Sequence, residues 1–173
     1  MAVLPPTRCA DASAQARARL ESQPLWQRAR CVLFFAPLPN ELDLWPLVEP
    51  ALAGGKTIAL PKFDAATGAY SAAQIRDLEK DIRPGRFGVR EPGEHCPAVD
   101  LNRLDLLLVP GVAFDPQGWR LGRGKGFYDR LLTRVSGTKC GVAFDEQIIT
   151  EIPIEPHDVR MDCILTPARW LEV

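Results

Sequence analysis

The sequence predicts an α/β domain built around a mostly parallel, twisted sheet. Several short apolar runs, each of a length that suits one buried strand, alternate along the chain with helix-forming segments. Strands made almost wholly of apolar residues are buried on both faces, as in parallel sheets covered by helices. We therefore expect a three-layer, Rossmann-like fold with helices on both faces of the sheet. The length of 173 residues suits one domain, so residues 1–173 are predicted to form a single domain.

Composition excludes several classes of function. The chain is 46% apolar and 25% charged, with a formal net charge of -1. This balance argues against a nucleic-acid binder, and no apolar run approaches the length of a membrane span. The five cysteines show no CxxC pair, which predicts reduced thiols that serve as small core residues. We expect a monomeric, cytoplasmic protein that binds neither nucleic acid nor membrane.

The first part of the chain predicts two helices and two strands. Residues 11–22 are rich in Ala and Arg and predict a helix that ends before a proline. The apolar runs 31–39 and 56–63 predict two buried strands. Between them, apolar residues at helical spacing over 44–52 predict a helix with a kink or break at Pro50.

Residues 64–103 form a long excursion that is rich in turn residues. We expect one short helical piece within it, over 72–80. Loop-rich excursions of this length are usually functional or wrap over a site.

The last part of the chain contains the clearest strand, over 104–114. A turn over 115–118 follows it, and a helix is predicted over 127–134. Two further apolar runs, 138–144 and 163–167, predict the remaining strands.

Ligands of such folds bind beyond the carboxyl ends of the parallel strands. Asn40–Glu41, Pro61–Lys62 and Pro110–Gly111 each lie at the end of a predicted strand. The rule therefore places them at one edge of the sheet, together with the loop that precedes Asp129.

That loop, within RLGRGKGFYDRLL (120–132), has the composition of a phosphate site. Glycines at alternate positions leave the backbone N–H groups accessible, and basic side chains stand between them. It is not a Walker A loop, because no Ser or Thr follows Lys125 and Trp119 occupies the place of the first glycine. The alternative is a flexible glycine turn with solvated basic side chains. The strand before and the helix after favour the phosphate site.

Asp129 follows the loop directly. It can act as a carboxylate that a helix N-terminus favours or as a partner of Arg130 or Arg134. It can also bind Mg²⁺, which is commonly held by one or two carboxylates and phosphate oxygens. Asp158 and Asp162, in PHDVRMDCILTP, are candidates for a second carboxylate.

Other polar and aromatic residues leave two interpretations open. His157 is either a turn residue bonded to backbone or a partner of the neighbouring carboxylates. Glu41 is either a solvated edge residue or a hydrogen-bonding carboxylate for a polar heterocycle. His95 is expected at the surface without a partner. Trp119, Phe127 and Tyr128 are expected to be core or lid residues.

These segments together resemble a known family. LLLVPGVAFDPQGWRLGRGKGFYDRLL is similar to the signature of the 5-formyltetrahydrofolate cyclo-ligases, also called 5,10-methenyltetrahydrofolate synthetases. In that signature a strand ending in VPGxxFD precedes GxRLGxGxG[YF]YD. The segments PLPNELD, IALPK, GRFGVREP and PHDVRMDCILTP also match, in family order, across residues 31–167.

The resemblance implies an ATP- and Mg²⁺-dependent cyclisation of 5-formyltetrahydrofolate to 5,10-methenyltetrahydrofolate, with release of ADP and phosphate. In this family the formyl oxygen attacks the γ-phosphate, and the neighbouring nitrogen then closes the ring as phosphate leaves. The alternative is a non-catalytic nucleotide- or phosphate-binding protein of the same fold.

The resemblance also implies roles for particular residues. ATP would bind to Arg120, Leu121, Gly122, Arg123, Gly124, Lys125, Gly126, Phe127 and Tyr128. The reduced folate would contact Glu41, Arg123, Gly124, Lys125, Gly126 and Phe127. Magnesium would be held by Asp129 and Asp162. On physical grounds we expect Arg120 and Lys125 to be the catalytic residues that stabilise the charge of the transferred group.

One feature departs from the family pattern. Family members usually carry a basic helix of the form KxxLR ahead of the helix predicted at 11–22, and here only Arg8 lies nearby. We expect this basic helix to be short or missing. Arg8, Arg17 or Arg19 would then substitute for it, or ATP binding would be altered.

Overall fold

A central sheet of eight strands separates two layers of helices and loops in the computed structural model, which describes residues 6–85, 88–124 and 126–173. The strands are β1 Cys31–Leu33, β2 Thr57–Asp64, β3 Ala69–Ile75, β4 Ile82–Pro84, β5 Arg90–Pro92, β6 Ala98–Val99, β7 Leu106–Pro110, β8 Ala113–Phe114, β9 Arg120–Leu121, β10 Thr138–Val142, β11 Cys163–Leu165 and β12 Trp170–Glu172. The helices are α1 Pro6–Glu21, α2 Pro24–Arg28, α3 Val48–Ala53 and α4 Phe127–Leu132. Short 3-10 helices span Trp45–Leu47, Leu101–Arg103 and Asp145–Gln147.

The strand order in the sheet is β12-β11-β10-β7-β1-β2-β3-β6. The five strands from β11 to β2 pair in parallel. The flanking strands β12, β3 and β6 pair antiparallel to their neighbours. Two small hairpins, β4–β5 and β8–β9, lie outside this sheet. The predicted α/β fold with a mostly parallel sheet is therefore confirmed.

Side chains of the parallel strands alternate between two cores. In β7, Leu106 and Leu108 belong to a core that includes Ala16 and Leu20 of α1. Residues between them face a second core that includes Leu131 of α4. Alternation of this kind arises because successive side chains of a strand point to opposite faces. Helices therefore cover both faces of the sheet, as predicted.

The helix predicted over 72–80 is wrong. Ala69–Ile75 is strand β3, which pairs with β2 from Ile58↔Ile75 to Asp64↔Ala69. The alanines of this segment suit a helix in isolation, but seven paired positions along β2 outweigh that weak local preference.

Several predicted boundaries also shift. The strand predicted over 104–114 is two strands, β7 and β8, because the chain turns at Gly111 and β8 folds back on β9. The helix predicted over 44–52 is a 3-10 turn followed by α3, and Pro50 lies in the first turn of α3 where a proline is tolerated. The prediction did not include α2, β4, β5, β6, β9 or β12. No helix among the described residues is long and apolar enough to cross a bilayer.

Candidate active site

A cavity of about 320 Å³ opens at the carboxyl edge of the parallel strands. Glu41 follows β1, Pro61 lies in β2, and Pro110 and Gly111 end β7; all of them line it. The sequence placed these residues at one edge, and the structure confirms that they meet. Asn40 and Lys62 are the exceptions, because neither is part of the cavity lining. Asn40 Oδ1 accepts a hydrogen bond from Arg123, and the Lys62 ammonium group pairs with Glu94 at 3.1 Å.

A buried ion pair forms one wall. Arg120 of β9 and Asp129 of α4 approach to 2.6 Å between Nη2 and Oδ1, and their side chains are 4% and 15% exposed. Arg120 Nη1 also donates to Pro110 O at 3.4 Å, and the guanidinium lies 5.6 Å from the centre of the Tyr128 ring. Its Nε is buried and has no hydrogen-bond partner among the described residues. This wall therefore contains the buried guanidinium of Arg120, whose Nε–H group can donate one further hydrogen bond.

Gly122 makes room for this guanidinium, because a Cβ there would lie 3.0 Å from Arg120 Nη1. A Cβ at Gly111 would lie 2.7 Å from the Phe114 ring and 3.0 Å from Arg120 Cγ. Gly124 differs, because a Cβ there would meet nothing within 4 Å, but its φ of +78° favours glycine. Gly126 begins α4 at a φ of 60°. The glycines therefore serve two purposes: packing beside Arg120 and backbone turns in an open loop.

Glu41 and Arg123 form a second charged part of the cavity wall. Glu41 Oε2 accepts a hydrogen bond from Leu38 N at 3.0 Å, which fixes the carboxylate, and Oε1 lies 3.3 Å from Arg123 Nη2. Arg123 Nη2 also donates to Asn40 Oδ1 at 3.5 Å. The Glu41 side chain is 11% exposed and that of Arg123 is 54% exposed. The Glu41 carboxylate is therefore a hydrogen-bond acceptor with a fixed position, whereas the Arg123 side chain that contacts it is largely exposed to solvent.

Aromatic side chains lie between the two charged walls. The rings of Tyr70 and Tyr128 are 6.0 Å apart, and Phe63 packs edge-on against Tyr70 at 5.6 Å. Burial, followed by the negative charge of Glu41, raises the pKa of Tyr128. The Tyr128 phenol consequently stays protonated near neutral pH and can donate a hydrogen bond. A flat, polar heterocycle suits such a combination of apolar walls and a few directed polar groups.

The excursion 64–103 completes the cavity. Tyr70 of β3 and Val89, Arg90 and Glu91 of the β4–β5 hairpin line it. The Arg90 guanidinium stacks 4.1 Å from the centre of the Trp45 ring, which ties the hairpin to the segment after β1. Part of the excursion therefore forms one wall of the cavity. The sequence analysis named none of these lining residues and did not predict the hairpin.

The structure brings together most of the predicted site residues. Those that line the cavity are Glu41, Arg120, Gly122, Arg123, Gly126, Tyr128 and Asp129. Leu121 is exposed, and Gly124 lies in the open part of the loop. Lys125 and the side chain of Phe127 lie outside the described residues.

Asp162 is not brought to Asp129. It precedes β11, and its Oδ2 accepts a hydrogen bond from Lys139 N at 2.7 Å near the start of β10. Lys139 is level with Leu107, three residues before the end of β7 where Arg120 contacts Pro110 O. At about 3.3 Å per residue this is close to 10 Å along the strand. The two aspartates therefore lie towards opposite ends of the parallel strands.

The other candidate groups near PHDVRMDCILTP also lie elsewhere. His157 is exposed and pairs with Glu155 at 3.3 Å and with Asp158 at 4.0 Å. Arg160 Nε donates to Gln117 O, which places the segment beside the turn of the β8–β9 hairpin. The glycine loop leaves that hairpin from its opposite end, so neither His157 nor Asp158 faces it.

His95 and the N-terminal arginines have partners that the sequence did not reveal. His95 Nε2 lies 2.9 Å from Asp81 Oδ1, which corrects the expectation that it has no partner. Arg17 donates to Asp43 O at 2.8 Å and Arg19 to Pro167 O at 3.1 Å, so both hold α1 in place. Arg8 is exposed and lies 3.9 Å from Glu146.

Comparison with known proteins gives a consistent result. Residues 2–167 match the sequence profile of the 5-formyltetrahydrofolate cyclo-ligase family. A 5-formyltetrahydrofolate cyclo-ligase of Mycolicibacterium smegmatis is 37% identical over 82% of this chain and 76% of its own. The protein of the same name from Escherichia coli K12 is 32% identical over 98% of this chain and 95% of its own.

Solved structures of similar fold carry the alternative name of the same family. The NMR structure of Aquifex aeolicus 5,10-methenyltetrahydrofolate synthetase has a TM-score of 0.87 and 34% identity, covering 98% of this chain and 84% of that one. A 5,10-methenyltetrahydrofolate synthetase from Mycoplasma pneumoniae has a TM-score of 0.73 at 21% identity, covering 95% of this chain and 90% of that one. The second similarity is one of fold.

Proposed function

The chain belongs to the 5-formyltetrahydrofolate cyclo-ligase family, and from that premise we propose that its cavity closes the ring of 5-formyltetrahydrofolate to give 5,10-methenyltetrahydrofolate, driven by ATP. The observation that carries the assignment of roles is the buried Arg120 guanidinium. It is 4% exposed, bound to Asp129, and has an Nε donor without a partner among the described residues. A desolvated cation of this kind stabilises negative charge that develops during phosphoryl transfer.

The folate occupies the half of the cavity between Glu41 and the aromatic side chains. Glu41 accepts hydrogen bonds from the N–H groups of the pterin, for which its held carboxylate is suited. Tyr70 and Tyr128 pack along the flat ring system. The Arg123 side chain, together with Gly124, Lys125, Gly126 and Phe127, borders the substrate on the loop side.

The ATP phosphates occupy the other half, along residues 120–128. Gly122 and Gly126 line the cavity there, where the absence of side chains lets phosphate oxygens approach the backbone. Arg120 and Lys125 are the proposed catalytic residues that bind the transferred phosphoryl group. Because α4 has only six residues, these cations and backbone donors matter more than a helix dipole.

The donor set fits Mg²⁺ through Asp129. Arg120 engages Asp129 Oδ1, and Oδ2 has no hydrogen-bond partner in the described part of the chain. One carboxylate oxygen plus phosphate oxygens is a common way to hold Mg²⁺, which neutralises phosphate charge when bound. We propose Asp129 alone as the protein ligand, since Asp162 lies towards the other end of the strands.

The reaction proceeds in two displacements. The formyl oxygen attacks the γ-phosphorus, and the bond from that phosphorus to the β–γ bridging oxygen breaks, so that ADP leaves with the electron pair. The neighbouring nitrogen then attacks the formyl carbon and loses its proton, and the C–O bond breaks to release phosphate. Arg120 acts in both steps, first on the transferred group and then on the leaving phosphate.

An absorbance assay tests this function. Purified protein with MgATP and 5-formyltetrahydrofolate should develop the near-ultraviolet absorbance of the methenyl product, with one ADP formed for each product. ATP-dependent thermal stabilisation without product or ADP would instead identify a nucleotide-binding protein that does not catalyse the reaction.

Substitution of Asp129 tests the proposed metal ligand. Asp129→Asn keeps the shape of the side chain and an oxygen for Arg120, but removes the charge that Mg²⁺ needs. Turnover should fall at least about a hundredfold while the thermal transition stays cooperative. Turnover that is unchanged at limiting Mg²⁺ would remove Asp129 from the metal site.

Two further expectations remain predictions. A monomer should elute at the size of the 19.1 kDa chain in size-exclusion chromatography. A cytoplasmic location is in keeping with five cysteines that form no disulfide.

A further inference from the structure

Three side chains with metal-binding atoms converge at the base of the β4–β5 hairpin, outside the cavity lining. Asp81 directly precedes β4, and His95 and Cys96 follow β5. One ligand atom from each lies within 4.8 Å of the other two. His95 Nε2 is 2.9 Å from Asp81 Oδ1 and 3.9 Å from Cys96 Sγ.

The backbone holds this cluster in place. Asp81 Oδ2 accepts hydrogen bonds from Arg76 N at 2.7 Å and Asp77 N at 3.0 Å, which leaves Oδ1 directed at His95. Gly93 N donates to Asp81 O at 2.7 Å, and Cys96 N donates to Gly93 O at 3.1 Å. The three ligand groups are thus fixed relative to one another before any ion binds.

From this geometry we propose that Asp81, His95 and Cys96 form a Zn²⁺ site. Zn²⁺ accepts a thiolate, an imidazole and a carboxylate together, whereas Mg²⁺ and Ca²⁺ do not favour the thiolate and the imidazole. Zinc bond lengths of about 2.0–2.3 Å in a tetrahedron put neighbouring ligand atoms about 3.4–3.6 Å apart. The two separations from His95 Nε2, 2.9 Å to Asp81 Oδ1 and 3.9 Å to Cys96 Sγ, need shifts of about half an ångström or less to reach those values, and the third pair of ligand atoms lies within 4.8 Å.

Burial and charge are consistent with one bound ion. Cys96 is buried at 6% exposure and the Asp81 side chain is 14% exposed, whereas the His95 side chain is 58% exposed. Water therefore has access to the fourth position. A carboxylate and a thiolate balance the two charges of the ion, and the nearby Lys62 is already paired with Glu94. Zinc must displace the thiol proton, so binding should weaken as the pH falls.

A bound ion would link the two ends of the β4–β5 hairpin. β4 starts directly after Asp81, and β5 ends three residues before His95. Val89, Arg90 and Glu91 at and beside β5 line the cavity. A bound ion would therefore stabilise one cavity wall without touching a substrate. Its existence does not depend on the proposed reaction.

A second cluster serves as an internal comparison. Glu155, His157 and Asp158 also place ligand atoms within 4.8 Å of one another. The side chains of Glu155 and His157 are 71% and 64% exposed, and the cluster has no thiol. It is expected to bind divalent ions weakly and to give no sulfur-to-metal absorbance.

Cobalt titration of the fully reduced protein, without ATP or Mg²⁺, tests the site. Co²⁺ should bind at one equivalent and produce a near-ultraviolet thiolate-to-cobalt band with visible bands of tetrahedral intensity; Zn²⁺ should remove both. Cys96→Ser should abolish the near-ultraviolet band, and His95→Ala should abolish the visible bands or weaken binding at least about tenfold. Cys9→Ser and His157→Ala are the matched controls and should bind as the parent does.

Thermal denaturation supplies a second measurement for the same proposal. The Tm of the parent protein should rise with Zn²⁺ concentration, and that of His95→Ala, whose substitution is at an exposed side chain, should not. Absence of a cobalt thiolate band, or a band that survives Cys96→Ser, would overturn the proposal. Asp129→Asn should retain the band, which separates this test from that of the proposed reaction.

Discussion

Two arginine–carboxylate pairs line the cavity, and their surroundings differ. Arg120 and Asp129 are 2.6 Å apart with side chains 4% and 15% exposed, whereas Arg123 and Glu41 are 3.3 Å apart with side chains 54% and 11% exposed. In the first pair the arginine is buried and the aspartate is mostly buried. The second has a buried acid and a solvated base.

The difference indicates that the two pairs have different roles in stability and in ligand binding. Breaking a buried pair leaves an uncompensated charge in the protein, so Arg120 and Asp129 depend on each other for folding as well as for chemistry. An exposed pair contributes little to stability and exchanges partners readily. Arg123 can therefore leave Glu41 when a ligand takes its place, whereas Arg120 stays where it is.

The largest effect is expected when Arg120 is replaced by Met. The Asp129 carboxylate would remain partly buried without its cation, which should cost about 3–5 kcal/mol of unfolding free energy. Turnover in the folded fraction should fall by about a hundredfold or more. Denaturant unfolding and the absorbance assay measure the two effects. A loss of stability no larger than that of Arg123→Met would contradict the contrast between the pairs.

Glu41→Gln should come next, and its effect should be on substrate binding. Loss of a charge-assisted hydrogen bond to the pterin is worth about 1.5–3 kcal/mol, or roughly a tenfold to hundredfold rise in KM for the folate. The KM for ATP should change little, because the proposed contacts of Glu41 are to the pterin and not to the ATP phosphates. An equal rise in both KM values would argue against Glu41 as a folate ligand.

Gly122→Ala should have an intermediate effect. The new methyl group would lie 3.0 Å from Arg120 Nη1 and displace the guanidinium, so kcat should fall about tenfold. Gly55→Ala is the control, since Gly55 has a φ of +84° and nothing within 4 Å of its missing Cβ. It should lower the unfolding free energy without changing kcat. Identical kcat in both variants would show that Gly122 does not position Arg120.

Arg123→Met should have the smallest effect. Because the Arg123 side chain is 54% exposed, loss of its pair with Glu41 should change the unfolding free energy by less than about 1 kcal/mol. A several-fold rise in the folate KM at low salt, which shrinks as ionic strength increases, is expected. A large loss of stability would mean that the two pairs are equivalent.

Much of the site could be predicted from sequence because its residues follow strands. Glu41, Pro110 and Gly111 each come directly after an apolar run, and the edge rule alone places them together. The glycine loop and Asp129 are contiguous, so their proximity is a local property. The family resemblance, which depends on these same segments, is confirmed by the profile match over 2–167.

The sequence did not predict contacts between segments that are far apart in the chain. A helix was predicted over 72–80, where alanines suit a helix. In the structure, residues 69–75 instead pair with β2 as strand β3. The family resemblance assigned Asp162 to the metal site with Asp129, yet Asp162 precedes β11 and so lies near the start of the parallel strands and not at their carboxyl ends. The side chains of the hairpin at 82–92 became part of the cavity only once the hairpin folded over it.

The sequence by itself determined the layer architecture, the glycine loop and the aspartate after it, because apolar period, glycine spacing and sequence neighbourhood are local. The tertiary structure decided the rest: which carboxylate faces Arg120, which arginine stays buried, and that Asp81, His95 and Cys96 share one corner. These depend on strand register and on which end of a strand a residue occupies. Both are set by contacts between segments far apart in the chain.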